Sequence, residues 1–357
     1  MFSNIEPKYY YTPDVYNLER RNIFRKNWIY IGLKSQLSKP NDFIYKKIGG
    51  IPIVIQNFNG ELRAFINICS HRFSLLQTEK SGNRSLFCPY HGWAYDKFGK
   101  PCGIPKKPLF DNLETSNLDK LKLKSYDIEY CGDLIFIHIQ KSTQSLRDYL
   151  GSFFNELELI SNEKQECIDV NELTIKSNWK VIVENTLESY HVNLVHGETF
   201  KKLGASGLNF EFSNLNSKWT ADLLLSESDP KLEKIHNKFT DRNYKINGYV
   251  HYLIYPNLLI SSTYGISYNI SVIDPINENE TMFTSNVFVS KTDGGSVVDF
   301  YKTSLVKFNR EVFDEDKVIC EHVQEGVQYT ELPGILSTEE TRVHEFQKNY
   351  ITQLHHE

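Results

Sequence analysis

The sequence predicts an α+β fold, and three observations predict it. Between residues 36 and 140, short β-branched or aromatic runs alternate with glycine-bearing turns. A second series of such runs, between 207 and 290, follows a polar helical stretch. Helical spacing of apolar residues frames both, at Val15–Trp28 and at Tyr301–Gln328. The expected organisation is an N-terminal helical segment (1–35) packed on the larger domain, a small antiparallel β domain (36–140), and a domain (141–357) with a large antiparallel sheet flanked by helices.

At 357 residues the chain can bury two proper cores. It is 40% hydrophobic and 24% charged with a net charge of −5, an ordinary globular balance. Mild acidity without a basic tract speaks against a nucleic-acid partner. The 21 Tyr and 22 Phe suit large sheet cores better than an aromatic binding box. No run of 18 apolar residues and no apolar N-terminal signal region occur, so a cytoplasmic protein off the membrane is expected. The six cysteines lack the spacing of a disulfide framework, which suits a reducing compartment.

Taken in order, Val15–Trp28 presents Leu18, Ile23 and Trp28 at helical spacing. Asp42–Lys47, Pro52–Asn57 and Leu62–Asn67 read as strands, with Gly49-Gly50 and Asn59-Gly60 as turns. Tyr95–Lys100 reads as a hairpin around Gly99, and Tyr126–Gln140 as one turning at Cys131–Asp133. Residues 141–170 read as a helical connection with Leu150, Phe154 and Leu157 on one face. The large-sheet candidates are Gly207–Asn214, Lys218–Leu225, Gly248–Ile254, Leu258–Tyr264, Ser267–Asp274 and Thr281–Ser290. Tyr301–Gln328 closes the chain as a long helix.

Two constellations carry chemistry. Cys69-Ser-His71 and Cys88-Pro-Tyr-His91 put two thiols and two imidazoles at tight spacing, the donor set of tetrahedral zinc or of a Rieske cluster. Each pair mixes Cys with His, whereas a zinc finger more often keeps like with like. The second stretch, Asn178–Gly197 (NWKVIVENTLESYHVNLVHG), holds His191 and His196 with Glu188 a helical turn before the first. Two histidines and a remote carboxylate make the facial triad of non-haem ferrous oxygenases, with positions left open for dioxygen. Residues five apart on a helix point about 140° apart, so the pair shares a metal only if the helix loosens near Asn193–Val195. On the last helix, Val312, Ile319, Cys320 and Val323 form an apolar stripe. Asp316 falls inside the stripe, while Asp314, Glu315 and Lys317 fall outside. A carboxylate on such a face is a metal ligand or a buried cap or ion pair.

With NICSHRFSLL at Asn67–Leu76, FCPYHGWAY at Phe87–Tyr95 and the Asn178–His196 stretch in this order, most of the chain resembles the alpha subunit of a Rieske non-haem iron oxygenase. It departs from the family twice. Phe73 stands where many members have glycine, which puts a loop conformation in question. Glu188 stands where many have Asp.

The resemblance implies a small antiparallel Rieske domain whose 2Fe-2S cluster is held by Cys69, His71, Cys88 and His91, and a mononuclear ferrous ion held by His191, His196 and Asp316, with Asp314 as runner-up. Tyr90 and Trp93 would shield the cluster, and Asn178, Trp179 and Lys180 would be structural, with Trp179 in the core. Asn185 either lines the pocket or satisfies a backbone group. Glu188 would accept a hydrogen bond from the His191 ring nitrogen that does not bind iron. By resemblance it would also meet His71 or His91 of the partner subunit in a homotrimer, whose cluster faces the next subunit's iron; an alpha-beta assembly stays open.

Electrons would come from NAD(P)H through a separate flavin reductase and, in some systems, a ferredoxin, because the chain lacks a Gly-x-Gly-x-x-Gly fingerprint. The implied activity is that of a terminal oxygenase hydroxylating or oxidatively demethylating a small organic substrate with dioxygen. The alternative is a Rieske-type electron-transfer protein without oxygenase activity, which has no use for three ligands with open positions. Position relative to the iron helix nominates Phe200, Leu203, Tyr255, Asn257 and Tyr264 for the pocket. His138, His236, His251, His322 and His344 have no metal-like partners in sequence and read as ordinary satisfied or surface residues.

Overall fold

Asn59 and Gly60 both take positive φ, 54° and 95°, and set Phe58 opposite Glu61. Gly49 and Gly50 repeat the device between Ile48 and Ile51. Two-residue turns of this hand match the twist of paired strands, and both sites carry the residues such turns require. They organise the smaller of the two units into which the chain divides, Phe24–Asp148; the larger comprises Met1–Ile23 and Tyr149–Glu357. The structure, a computed structural model, describes residues 1–110, 115–224, 230–239 and 243–356.

The smaller unit is antiparallel throughout. Its strands are β1 (Ile29–Leu33), β2 (Asp42–Ile48), β3 (Ile51–Phe58), β4 (Glu61–Ile66), β5 (Ser81–Asn83), β6 (Ala94–Tyr95), β7 (Pro101–Gly103), β8 (Ser125–Cys131) and β9 (Leu134–His138). Seven of them form one sheet in the order β1-β9-β8-β4-β3-β2-β5, and β6 pairs with β7. Phe43, Val54, Phe65, Leu86 and Trp93 build a core into which Cys69 and Cys88 are also sunk. The unit begins before residue 36 because β1 pairs with β9.

In the larger unit, β10 (Glu166–Ile175), β11 (Ser206–Ser213), β12 (Asn216–Asp222), β13 (Tyr249–Ile254), β14 (Leu258–Thr263), β15 (Ser267–Asn277) and β16 (Glu280–Val289) form an antiparallel sheet, ordered β10-β16-β15-β14-β13-β12-β11. The described helices are α1 (Pro13–Asn22), α2 (Leu146–Leu150), leading in from the smaller unit, α3 (Phe154–Glu163), α4 (Trp179–Thr186), α5 (Val192–Val195), α6 (Pro230–His236), α7 (Ser296–Gly326) and α8 (Thr341–His355). None is long and apolar enough to cross a membrane. Register aligns Trp219, His251, Ser261, Asn269 and Val287 in one row across five strands. Alternation puts such a row on one face.

A buried charge cluster ties α1, α4 and α8 together. Glu19 and Lys180 are both fully buried and meet at 2.5 Å. The other Glu19 oxygen accepts from Trp179 Nε1 at 2.9 Å, and Tyr350 donates to Glu19 at 2.6 Å. Asn178 caps α4 by accepting from the Lys180 backbone N–H. Its Oδ1 also accepts from Lys180 Nζ at 2.8 Å. Breaking a buried pair of this kind costs on the order of 3–5 kcal/mol, because one charge is stranded. The Asn178-Trp179-Lys180 sequence therefore anchors the helix that leads to the site.

Three helical expectations differ from the structure. The first helix stops at Asn22, not Trp28, and Trp28 instead packs edge-on against His138. Residues 166–170, read as helix, begin β10, whose partner β16 overrides local preference. The C-terminal α8 was not anticipated. The strand expectations lie within a few residues of the observed ones, except that Leu225 lies outside the described residues.

Candidate active site

In the smaller unit two loops of the same construction face each other. The Cys69 N–H donates to Ser74 O, and Phe73 N–H returns to Cys69 O. Cys88 N–H donates to Trp93 O, and Gly92 N–H returns to Cys88 O. Both cysteines are 1% exposed, and the rings of His71 and His91 lie 4.7 Å apart. Trp93 stacks on His71 at 5.0 Å and is buried, while the half-exposed Tyr90 covers His91 at 3.8 Å. The His71 Nδ1 atom is buried with no hydrogen-bond partner. An orphaned ring nitrogen beside two buried thiols fits a cluster ligand. Burial, His91 and Arg72 together hold His71 below its ordinary value, in the neutral form a ligand needs. Tyr95, absent from the expected set, brings its hydroxyl within 3.2 Å of Cys69 Sγ and accepts from Ser70 N–H at 3.0 Å. Hydrogen bonds to the sulfurs are one means by which a protein tunes such a centre.

In the larger unit α4 ends at Thr186, and a non-helical turn follows. Glu188 accepts from the backbone N–H groups of Tyr190 and His191, and its other oxygen meets His191 Nδ1. His191 and His196 then flank the single turn α5. The helix thus breaks at Leu187–Tyr190, earlier than the expected Asn193–Val195. Glu188 reaches His191 by folding onto the backbone N–H groups of Tyr190 and His191, not by sharing a helical face. The break lets residues five apart converge: the two Nε2 atoms are 3.2 Å apart.

Asp316 enters from α7, its Oδ1 2.9 Å from His196 Nε2 and 3.6 Å from His191 Nε2. Ligand atoms about 2.1 Å from one ion and at right angles lie about 3.0 Å apart, so these spacings fit a facial triad. The three are a candidate metal group among the described residues. Asp314 is exposed on the same helix. Asn185 resolves neither to backbone nor to cavity alone: it lines the cavity and donates to Asp316 Oδ1 at 2.8 Å. Glu315, which the stripe argument set aside, accepts at 2.7 Å from His196 Nδ1 and at 2.6 Å from Thr199 Oγ1. Each histidine therefore presents Nε2 to the centre and rests its Nδ1 on a glutamate, the usual support of a metal-bound imidazole.

Burial opposes a charged His191 ring, but hydrogen bonds to Asp316 and Glu188 outweigh it and push His191 up to about 9. Burial likewise opposes ionised Asp316, yet His191 and His196 hold it down to about 2. The carboxylates demand positive charge at the centre, from ring protons or from a metal ion.

The triad lines a cavity of about 140 Å³ over the middle of the large sheet. Phe200 and Leu203 line it. Tyr255, Asn257 and Tyr264 are not among its described lining residues. They sit at the two ends of the β13–β14 hairpin, beyond the row the cavity covers. Tyr255 packs on Phe346, Asn257 binds Ile273 O, and Tyr264 joins Phe239 and Val289. The floor instead comes from Trp219, His251, Ser261, Asn269 and Ser271. A serine-rich face on strands that should pack apolar is a signal the sequence did carry, in LLISST and SYNIS.

Comparison with known proteins agrees with this geometry. The Rieske [2Fe-2S] domain family matches residues 27–126, and the ring hydroxylating alpha subunit (catalytic domain) family matches 157–356. Spinach choline monooxygenase is 28% identical over 90% of this chain and 71% of its own length. The toluate 1,2-dioxygenase alpha subunit of Pseudomonas putida is 33% identical, over 52% of this chain and only 42% of its own length. The carnitine monooxygenase oxygenase subunit of Acinetobacter pittii is 25% identical over 90% of this chain and 85% of its own. In fold, a quaternary ammonium Rieske monooxygenase bound to L-carnitine superposes with a TM-score of 0.80 at 21% identity, covering 99% of this chain and 95% of the other. Naphthalene 1,2-dioxygenase from Rhodococcus bound to indole gives 0.78 at 18% identity, covering 98% and 93%.

Proposed function

This chain belongs to the ring-hydroxylating alpha-subunit family of Rieske oxygenases, and from that premise we propose that it is a terminal oxygenase acting on a small organic substrate. The observation that carries the reading is the convergence of His191, His196 and Asp316 on one point at the wall of a cavity. When bound, the cluster supplies electrons one at a time and the ferrous ion is where dioxygen is activated. The chain's own residues do the rest. Glu188 and Glu315 hold the two imidazoles in one tautomer, with Nε2 free to bind metal. Asn185 fixes the rotamer of Asp316. Phe200, Phe308 and Phe313 wall the cavity and limit water at the centre.

Electrons reach this chain from a separate flavin reductase, directly or through a ferredoxin, and then pass between subunits of a homotrimer in the cytoplasm. Inter-subunit electron transfer is described for the quaternary ammonium monooxygenase of like fold. Glu188 suits the bridging role. Three of the four acceptor positions of its carboxylate are taken within the chain, which leaves one for His71 or His91 of the partner subunit. Hydroxylation and oxidative demethylation are both within reach of such a centre, and the relatives include enzymes named for aromatic acids and for quaternary ammonium compounds. An electron carrier would have no need of the triad or of a cavity beside it.

The test is metal analysis followed by single turnover. Anaerobic reconstitution should give two cluster irons, two labile sulfides and one mononuclear iron per chain. Zinc without labile sulfide would overturn the cluster. Full iron with no dioxygen uptake across a panel of aromatic acids and quaternary amines would leave the electron-carrier reading.

A further inference from the structure

Behind the cavity floor lies a cation that the triad does not use. Arg342, in the first turn of α8, is 1% exposed. Its Nε donates to Ser217 Oγ at 3.1 Å, its Nη2 to Ser217 O at 3.4 Å, and its Nη1 meets His251 Nδ1 at 3.1 Å. Guanidinium has donors only, so Nδ1 must accept and the ring proton must sit on Nε2. His251 is 8% exposed and lines the cavity. It is therefore a neutral donor at the cavity wall, polarised from behind by a full positive charge.

Among the described residues no carboxylate pairs with Arg342. The cavity's own carboxylates, Glu188 and Asp316, are committed to the triad histidines. A buried cation without a counter-ion is costly, and the cost is reduced by an anion held nearby, here across the His251 ring. On the floor around His251 are Trp219 and Tyr249, and Phe200 stacks on Phe308 at 6.3 Å. His251 is thus the one donor backed by a full charge, on a floor that also carries Ser261, Asn269 and Ser271, with aromatic surface beside it.

We propose that the substrates of this site carry a carboxylate, which accepts the Nε2–H of His251 with the Arg342 charge behind it, while the body of the molecule lies among the aromatic rings beside the triad. This rests on reading the cavity as the substrate site. A carboxylate fits better than a phosphate, because three Arg342 donors are already spent on the protein and a dianion would need more than one directed donor. Burial holds Arg342 down to about 9, still charged at neutral pH, and burial together with Arg342 keeps His251 well below its ordinary value and so neutral. Both states are those the arrangement requires.

The experiment is anaerobic titration calorimetry on the iron-loaded protein, with two pairs of probes that differ in one group: glycine betaine against choline, and m-toluate against m-toluamide. The carboxylate-bearing member of at least one pair should bind at least about tenfold tighter than its partner without a carboxylate. His251→Phe should erase that preference, and His251→Gln, which keeps an N–H donor, should restore part of it. Equal or weaker binding of the carboxylate-bearing member in both pairs overturns the proposal, as does a preference that survives in His251→Phe. Single turnover separates this from the oxygenase reading: a carboxylate preference without product defeats the latter alone, and product formation without the preference defeats only the former.

Discussion

Phe73 and Gly92 occupy the same place in two copies of one loop. Each lies four residues after a cluster cysteine, each donates its N–H to that cysteine's carbonyl, and each has left-handed φ, 62° and 72°. The loop geometry that glycine would make easy is kept with a phenylalanine that is 79% exposed.

The left-handed region costs a non-glycine residue roughly 1–2 kcal/mol, partly offset by glycine's larger loss of freedom on folding. Phe73→Gly should therefore raise the stability of the cluster-loaded protein by about 0.5–1 kcal/mol and leave the cluster absorption unchanged. Gly92→Ala should lower it by about 1–2 kcal/mol, because a Cβ there also meets Pro105 Cγ at 3.2 Å. Thermal unfolding of the two variants checks both signs; a Phe73→Gly protein that melts earlier would mean the ring is bound by something more than its loop.

On α7, three neighbouring acids should separate cleanly. Asp316→Ala should lose the mononuclear iron and keep the cluster spectrum. Glu315→Leu should weaken iron binding by about 10–100-fold, since it removes the acceptor of His196 Nδ1. Asp314→Ala, at an exposed position, should do neither. Iron analysis after gel filtration reads all three, and normal occupancy in Asp316→Ala would remove it from the triad.

Glu184 makes stability depend on pH. Burial pushes its carboxyl up to about 7, against hydrogen bonds from Tyr10 and Gln347 and the charge of Lys180. The folded chain then holds a proton that the unfolded chain releases at ordinary carboxylate pH. The associated stability is fully present below the unfolded value and is lost as pH rises through about 7. The loss is at most about 3.5 kcal/mol. Glu184→Gln should flatten the decline between pH 5.5 and 8.5 in urea unfolding. An unchanged slope in the variant would show that Glu184 is ionised in the fold.

Much of this was legible in the sequence for stated reasons. Asn59-Gly60 and Gly49-Gly50 permit one kind of turn, so the strands they join follow. Cys-x-His and Cys-x-x-His allow few uses. Asp316 was legible because charge on an apolar stripe needs a partner. What sequence could not show depends on long-range contacts. Glu315 sits off the stripe, and only the convergence of α5 and α7 brings it to His196. β10 is a strand because β16 pairs with it. Tyr264 and Tyr255 were misplaced because nearness in sequence to the strands of the floor does not say which part of a strand the cavity covers.

Glu188 is where two subunits and two metal centres would meet. Its Oε2 accepts two backbone N–H groups and its Oε1 meets His191 Nδ1, so the side chain is fixed before any partner arrives. A side chain held so firmly makes a defined bridge, because no rotamer freedom is lost when a second imidazole docks. Glu188→Gln keeps the length and an acceptor for His191 Nδ1, so both metal centres and the assembly should persist. It removes the negative charge and turns one oxygen into a donor that now faces backbone N–H groups. Electron transfer to the mononuclear site should slow by at least about tenfold. A stopped-flow single turnover with pre-reduced cluster and dioxygen measures this directly, with cluster reoxidation followed by its absorption. Reoxidation at the wild-type rate, with iron and assembly intact, would show that Glu188 only positions His191 and that the electron takes another route.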